Sequence, residues 1–179
     1  MIGFFMRFLF LLFIVIFQVS FLNTVFSDSF LNALLATAIA WTLTRGFVVS
    51  WPWIVSLGLV FDMISMEVVG ISALVLVIFS YGISFVSRRF LVEHKGSGMA
   101  IAGVFMAVAS VAYFPSLWLV RNLTIGTPWS RDAFLAYFST IDPVFGAISN
   151  AALLVIVYGI VVKMNRALDF YDDRVVVKR

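Results

Sequence analysis

Six apolar blocks, none of which contains an Asp, Glu, Lys or Arg, confine this chain to a helical fold in a membrane. They run over residues 8–26, 30–43, 48–61, 70–87, 99–119 and 144–162, and the second and third are the shortest. A bilayer core about 30 Å thick takes about 20 mostly apolar residues as a helix. Only 12% of the residues are charged while 63% are hydrophobic, against about 25% charged in soluble domains. With no Cys in the chain, disulfides and thiolate metal sites are excluded. The expected fold is an all-α integral membrane protein, a compact bundle of six transmembrane helices.

The net charge of +3 and a pI near 9.5 do not point to nucleic acid, because the basic residues are dispersed at block ends rather than gathered on one face. They set topology instead. Arg7 ahead of an apolar run looks like a signal-peptide start, but no small-x-small cleavage site follows, so the segment reads as a retained signal anchor. Lys and Arg in short loops stay cytoplasmic. Threading the six blocks from a cytoplasmic N-terminus puts Arg7, Arg45, Arg88, Arg89, Lys95, Lys163, Arg166, Arg174, Lys178 and Arg179 inside, ten of the twelve basic residues. Arg121 and Arg131 fall outside. Five spans would expose the basic tail against this bias. Residues 1–165 therefore read as one six-span membrane domain with both termini cytoplasmic, and 166–179 as a charged cytoplasmic tail that frays or docks on a partner.

In this layout Asp28, Asp62, Glu67, Asp132 and Asp142 are external. Asp62 and Glu67 lie in the stretch 58–74, which contains two glycines but no Lys or Arg. A charge at the centre of hydrocarbon costs at least about 2.5 kcal/mol. Such carboxylates can mark a proton or cation path. Alternatively, Asp62 ends the third span and accepts backbone N–H groups in the turn or at the start of the fourth, where a helix N-terminus favours negative charge. No basic residue or second buried carboxylate on another span accompanies it, which favours a structural or partner-docking hairpin built on Gly58, Asp62, Glu67 and Gly70. Glu67, in mid-turn, is expected to be solvated. The second and third spans are short enough for their hairpins to stop inside the membrane, which would set Asp62 deeper.

Small residues four apart allow close helix approach: Ala36 and Ala40, Gly103 and Ala107, Ala147 and Ala151. Packing within the bundle is the expected use, with a foreign helix as the alternative. Gln18, Thr37 and Asn150 are candidates for interhelical hydrogen bonds, and Pro115 for a bend in the fifth span. Trp51 and Trp53 suit an aromatic belt at the cytoplasmic face, and Arg45, Arg88 and Arg89 anchor that face. In the external segment 121–142, a helix start at Pro128 precedes Phe134, Tyr137 and Phe138 at interfacial spacing, and Asp142-Pro143 reads as a cap and first turn. His94, beside Lys95, reads as a solvated loop residue. No serine triad order, HExxH, phosphate loop or His/carboxylate cluster occurs, so no catalytic, cofactor or metal site is expected.

Arg45-Gly46, Gly58-Leu59-x-x-Asp62, Gly70-x-x-Ala73-Leu74 and Arg88-Arg89 resemble the central region of the bacterial rod shape-determining protein MreD family. The likeness covers about a quarter of the chain at its specific core, together with length, a six-span layout and a first span containing Gln18; the external segment and the tail are not part of it. It implies a non-enzymatic, multi-pass component of the bacterial inner membrane. Such a protein works in cell elongation with MreC, the actin-like MreB filament, the RodA glycosyltransferase and a class B penicillin-binding transpeptidase. Gly58, Asp62 and Gly70 would then shape a hairpin beside a partner such as MreC. Bundles of this size also resemble the substrate-binding subunits of vitamin uptake transporters, which need a polar external cavity. Membrane lipids are a further expected partner, through Phe134, Tyr137, Phe138 and the basic rim.

Overall fold

A computed structural model describes residues 2–22, 24, 31–66, 68–90, 98–125 and 143–176, and no strand occurs among them. Helix α1 (Ile2–Phe17) continues into a π-helical turn (Gln18–Leu22). It is followed by α2 (Ala33–Arg45), α3 (Phe47–Ile64), α4 (Ile71–Phe90), α5 (Gly98–Ile125) and α6 (Pro143–Val176). Each apolar block of the sequence thus supplies one helix. Proline, which needs no helical hydrogen bond at a first position, opens α6. No Gly or Pro follows Gly159, and α6 therefore runs on through much of the charged segment expected to fray, as far as Val176. Pro52 and Pro115 lie inside α3 and α5, which continue past them.

The segments Gly3–Leu22, Phe47–Ile64, Ala100–Thr124 and Phe145–Leu168 have the length and composition of membrane spans. The apolar part of α4, Ile71–Ser87, is shorter, and α2, at 13 residues, is about 20 Å long. Burial accounts for α2's role. Every residue from Ala33 to Thr42 is buried, Ala36 and Ala40 completely, because alanines let neighbours close in on all sides. α2 is the axis of the bundle, packed against α3, α4 and α6.

Contacts establish the direction of each helix. Gln18 meets Ala33 and Phe10 meets Trp41, so α1 and α2 are antiparallel. Ser50 on Trp41 turns α3 back along α2, Gly58 on Ala73 turns α4 back along α3, and Phe79 on Tyr113 with Gly82 on Phe105 turns α5 back along α4. Asn150 meets Asn32 and Asn165 meets Thr44, which makes α6 parallel to α2. The helices therefore alternate up and down. One end, the basic end, takes the helix positions of Arg7, Arg45, Arg88, Arg89, Lys163 and Arg166; Arg121 lies toward the other.

Two packing expectations change. A Cβ on Gly103 would meet nothing within 4 Å, because the buried line of α5 runs through Ala102, Met106, Ala109 and Tyr113, one position away. Gly103 thus seats no neighbouring helix, and Ala107 is half-buried beside that line. Likewise the buried line of α6 is Asn150, Leu154, Val157, Val161 and Asn165, and Ala147 and Ala151 only flank it. Trp53 is also more than a belt residue: its ring lies 5.0 Å from Phe4 and 6.2 Å from Trp41. With Phe10 against Trp41 these rings tie α1, α2 and α3 together near the basic end. Trp51 remains exposed.

Candidate functional site

The end away from the basic residues holds a buried polar cluster to which all six helical segments contribute. Gln18, Asn32, Asp62, Ser72, Tyr113 and Asn150 are each at most 4% exposed. Such groups are costly in an apolar interior unless their hydrogen bonds are made. The partners here are chiefly helix termini.

At the start of α2 the first-turn N–H groups have no acceptor within their own helix. Asn32 is the cap: its Oδ1 accepts the Leu35 N–H at 2.9 Å. Two other helices supply the remaining acceptors. Gln18 Oε1 accepts from Ala33 N at 2.7 Å, while its amide donates to the Leu31 carbonyl at 3.0 Å. Asn150 Oδ1 accepts from Asn32 N at 2.8 Å, and its amide donates to the Gly146 carbonyl at 2.8 Å. Gln18 and Asn150 thus make interhelical bonds to α2's backbone. Thr37 does not: its hydroxyl donates to Ala33 O in its own helix.

Asp62 does for α4 what these amides do for α2. It is 0% exposed, and Oδ2 accepts the Gly70 N–H at 2.7 Å. The Ser72 N–H lies 3.3 Å from both carboxylate oxygens. A carboxylate at the end of α3 therefore caps the helix that follows it, with its charge against the positive end of the α4 dipole. Two glycines make this reach possible. Gly70 has φ +101°, a backbone state that side chains disfavour. Gly58, one turn before Asp62, lies so close to α4 that an added Cβ would stand 2.3 Å from Ala73 Cα. Tyr113 is buried near the side chains of Asn32 and Ser72, its ring 6.3 Å from that of Phe79.

The structure therefore joins Gly58, Asp62 and Gly70 in one joint. Glu67 lies outside the described residues, as do His94 and the segment 126–142. Arg45 ends α2, and Arg88 and Arg89 lie in the last turn of α4. Asn32, Ser72 and Tyr113 were not anticipated. Asn32 had a readable signal, an Asn directly before an apolar run, the usual form of a cap. Among the described residues no three His, Cys, Asp or Glu side chains come together. The acceptor oxygens of Gln18, Asn32, Asp62 and Asn150 are spent on helix starts, and the chemistry of these four residues is that of a clamp.

Asn150→Leu tests the clamp. It leaves the Asn32 N–H buried without its acceptor, and a loss of about 1–3 kcal/mol is expected in detergent melting curves. Thr37→Val, which removes only a bond within α2, is expected to cost much less; equal losses would contradict the clamp.

Scans against protein-family models, curated proteins and solved structures find no match to this chain.

Proposed function

We propose that this chain is a non-enzymatic membrane scaffold of the MreD type, binding MreC and helping couple MreB filaments to RodA, the class B transpeptidase and peptidoglycan synthesis. One observation carries the reading. The positions on which the resemblance rests have linked mechanical roles: Gly46, at φ +78°, separates α2 from α3, Gly58 admits Ala73, and Asp62 holds Gly70 and Ser72. A short motif built of turn, contact and cap suits a part whose task is to hold a rigid shape for a partner.

In this proposal all six helices cross the inner membrane of a bacterium, with both termini in the cytoplasm. The alternation of helix direction supports it, since it directs most of the basic helix positions to one end, as the positive-inside rule requires. The chain has no Cys, so orientation is open to single introduced cysteines. An impermeant maleimide is expected to label Thr124→Cys in intact cells and Lys163→Cys only after permeabilisation. The reverse pattern would overturn the topology.

For the role itself, depletion in a rod-shaped host is expected to round the cells, with MreC recovered on purification of the tagged chain. Retained rod shape, no MreC, and thermal stabilisation by a member of a vitamin panel would replace the scaffold with an uptake transporter subunit.

A further inference from the structure

The turn between α3 and α4 carries an apolar surface that a water-facing turn would not. Met63, Ile64, Met66, Val68 and Val69 are all exposed, Met66 at 94% and Val69 at 61%. Exposed apolar groups in such number mark a surface that meets something other than water. Helix length identifies what that is. α3 has 18 residues and is about 27 Å long, and at the common tilt of about 20° it projects about 25 Å along the membrane normal. Its first residue, Phe47, follows Arg45 and Gly46 at the basic end and meets the Tyr81 ring edge-to-face at 5.5 Å, in the manner of an interfacial aromatic pair. Measured from that boundary, the far end of α3 falls short of a hydrocarbon core about 30 Å thick.

The neighbouring helix α5 reaches much further. From Tyr113, in the polar cluster, α5 continues 12 residues to Ile125, about 18 Å. From Asp62, in the same cluster, α3 has only two more residues. Backbone hydrogen bonding agrees with a low tip. A turn in hydrocarbon must find acceptors for its N–H groups within the protein, and Asp62 provides them for Gly70 and Ser72, Phe61 O for Ser65 and Val68 O for Ile71.

We infer that the α3–α4 tip is seated in the acyl chains at the edge of the leaflet opposite the basic end, so that this side of the bundle is shorter than the bilayer and draws that leaflet inward. Met66 and Val69 are the contact residues; Glu67, between them in sequence, lies outside the described residues, and the solvation expected of its carboxylate limits the tip to the acyl–headgroup boundary. The depth of the tip is independent of any partner, so its test separates from that of the scaffold role.

The test uses the full chain with one spin-labelled cysteine, Met66→Cys, Val69→Cys or Thr124→Cys, reconstituted in phosphatidylcholine vesicles of 14-, 18- and 22-carbon chains. In 18-carbon vesicles, labels at 66 and 69 are expected to be more accessible to oxygen than to a water-soluble nickel complex, and a label at 124 the opposite. Lengthening the chains should increase that preference at 66 and 69, and 14-carbon vesicles should diminish it. Nickel accessibility at 66 and 69 equal to that at 124 would place the tip in water, and indifference to chain length would show that this side is not shorter than the bilayer; either result overturns the inference. Protection from both reagents would instead show a second protein chain covering it, which also overturns it. Unchanged melting of the three cysteine variants before labelling establishes that the fold is intact.

Discussion

Gly58→Leu is expected to yield no monodisperse protein, and Gly58→Ala to melt well below the parent. A single added carbon would stand 2.3 Å from Ala73 Cα and 2.5 Å from its nitrogen, both backbone atoms that no rotamer change can move aside. Overpacking of this kind costs about 1–3 kcal/mol even for modest additions. Helix propensity opposes it, since alanine gains about 1 kcal/mol over glycine inside a helix. Because α3 would have to separate from α4, the contact term wins, and the Asp62 cap is pulled away with it. Gly103→Ala and Gly159→Ala are the controls, as both positions meet nothing within 4 Å. They should be neutral or slightly stabilising. Size-exclusion profiles and melting curves in one detergent decide the matter, and a Gly58→Ala variant as stable as Gly103→Ala would mean that the two helices do not touch there.

Replacing Asp62 is expected to have the second largest effect. Asp62→Ala leaves the N–H groups of Gly70 and Ser72 without an acceptor in a fully buried site, at about 1–3 kcal/mol for each unsatisfied group. Asp62→Asn keeps one carbonyl oxygen but loses the charge, and with it an interaction with the α4 dipole that reaches about 2 kcal/mol in partly buried settings. The amide's own donors also find backbone N–H groups where they need acceptors. Stability should therefore fall in the order Asp, Asn, Ala, and melting temperatures of the three proteins give the measurement. Parent-like melting of Asp62→Ala would mean that the start of α4 is held by other contacts.

The capping of α4 by Asp62 was legible because the chemistry left few options. A carboxylate in an apolar stretch with no cation nearby needs N–H donors, and the next helix offers them eight to ten residues on. The direction of the small-residue stripe was not. Spacing says that Gly103 and Ala107 share a face, but only the three-dimensional packing decides that the face turned inward is the one through Ala102 and Met106. Nor could the weak second block announce a central helix. Its short length and alanine content look like a poor span, and the same traits let three helices surround it. Asn150 stood out as a polar group within a span, whereas its partner lies 118 residues away and no local pattern encodes it.

That separation bears on how the protein is made. When α2 has been synthesised its first turn has Gln18 as a neighbour, but the acceptor for the Asn32 N–H is not yet made. At about 5–20 residues per second, the 118 intervening residues occupy the ribosome for about 6–24 s. During that interval the future axis of the bundle waits half-clamped, and the arrival of α6 completes assembly. A chain truncated before Asn150 is thus expected to leave the buried Asn32 N–H without its acceptor and to be less stable than the full chain.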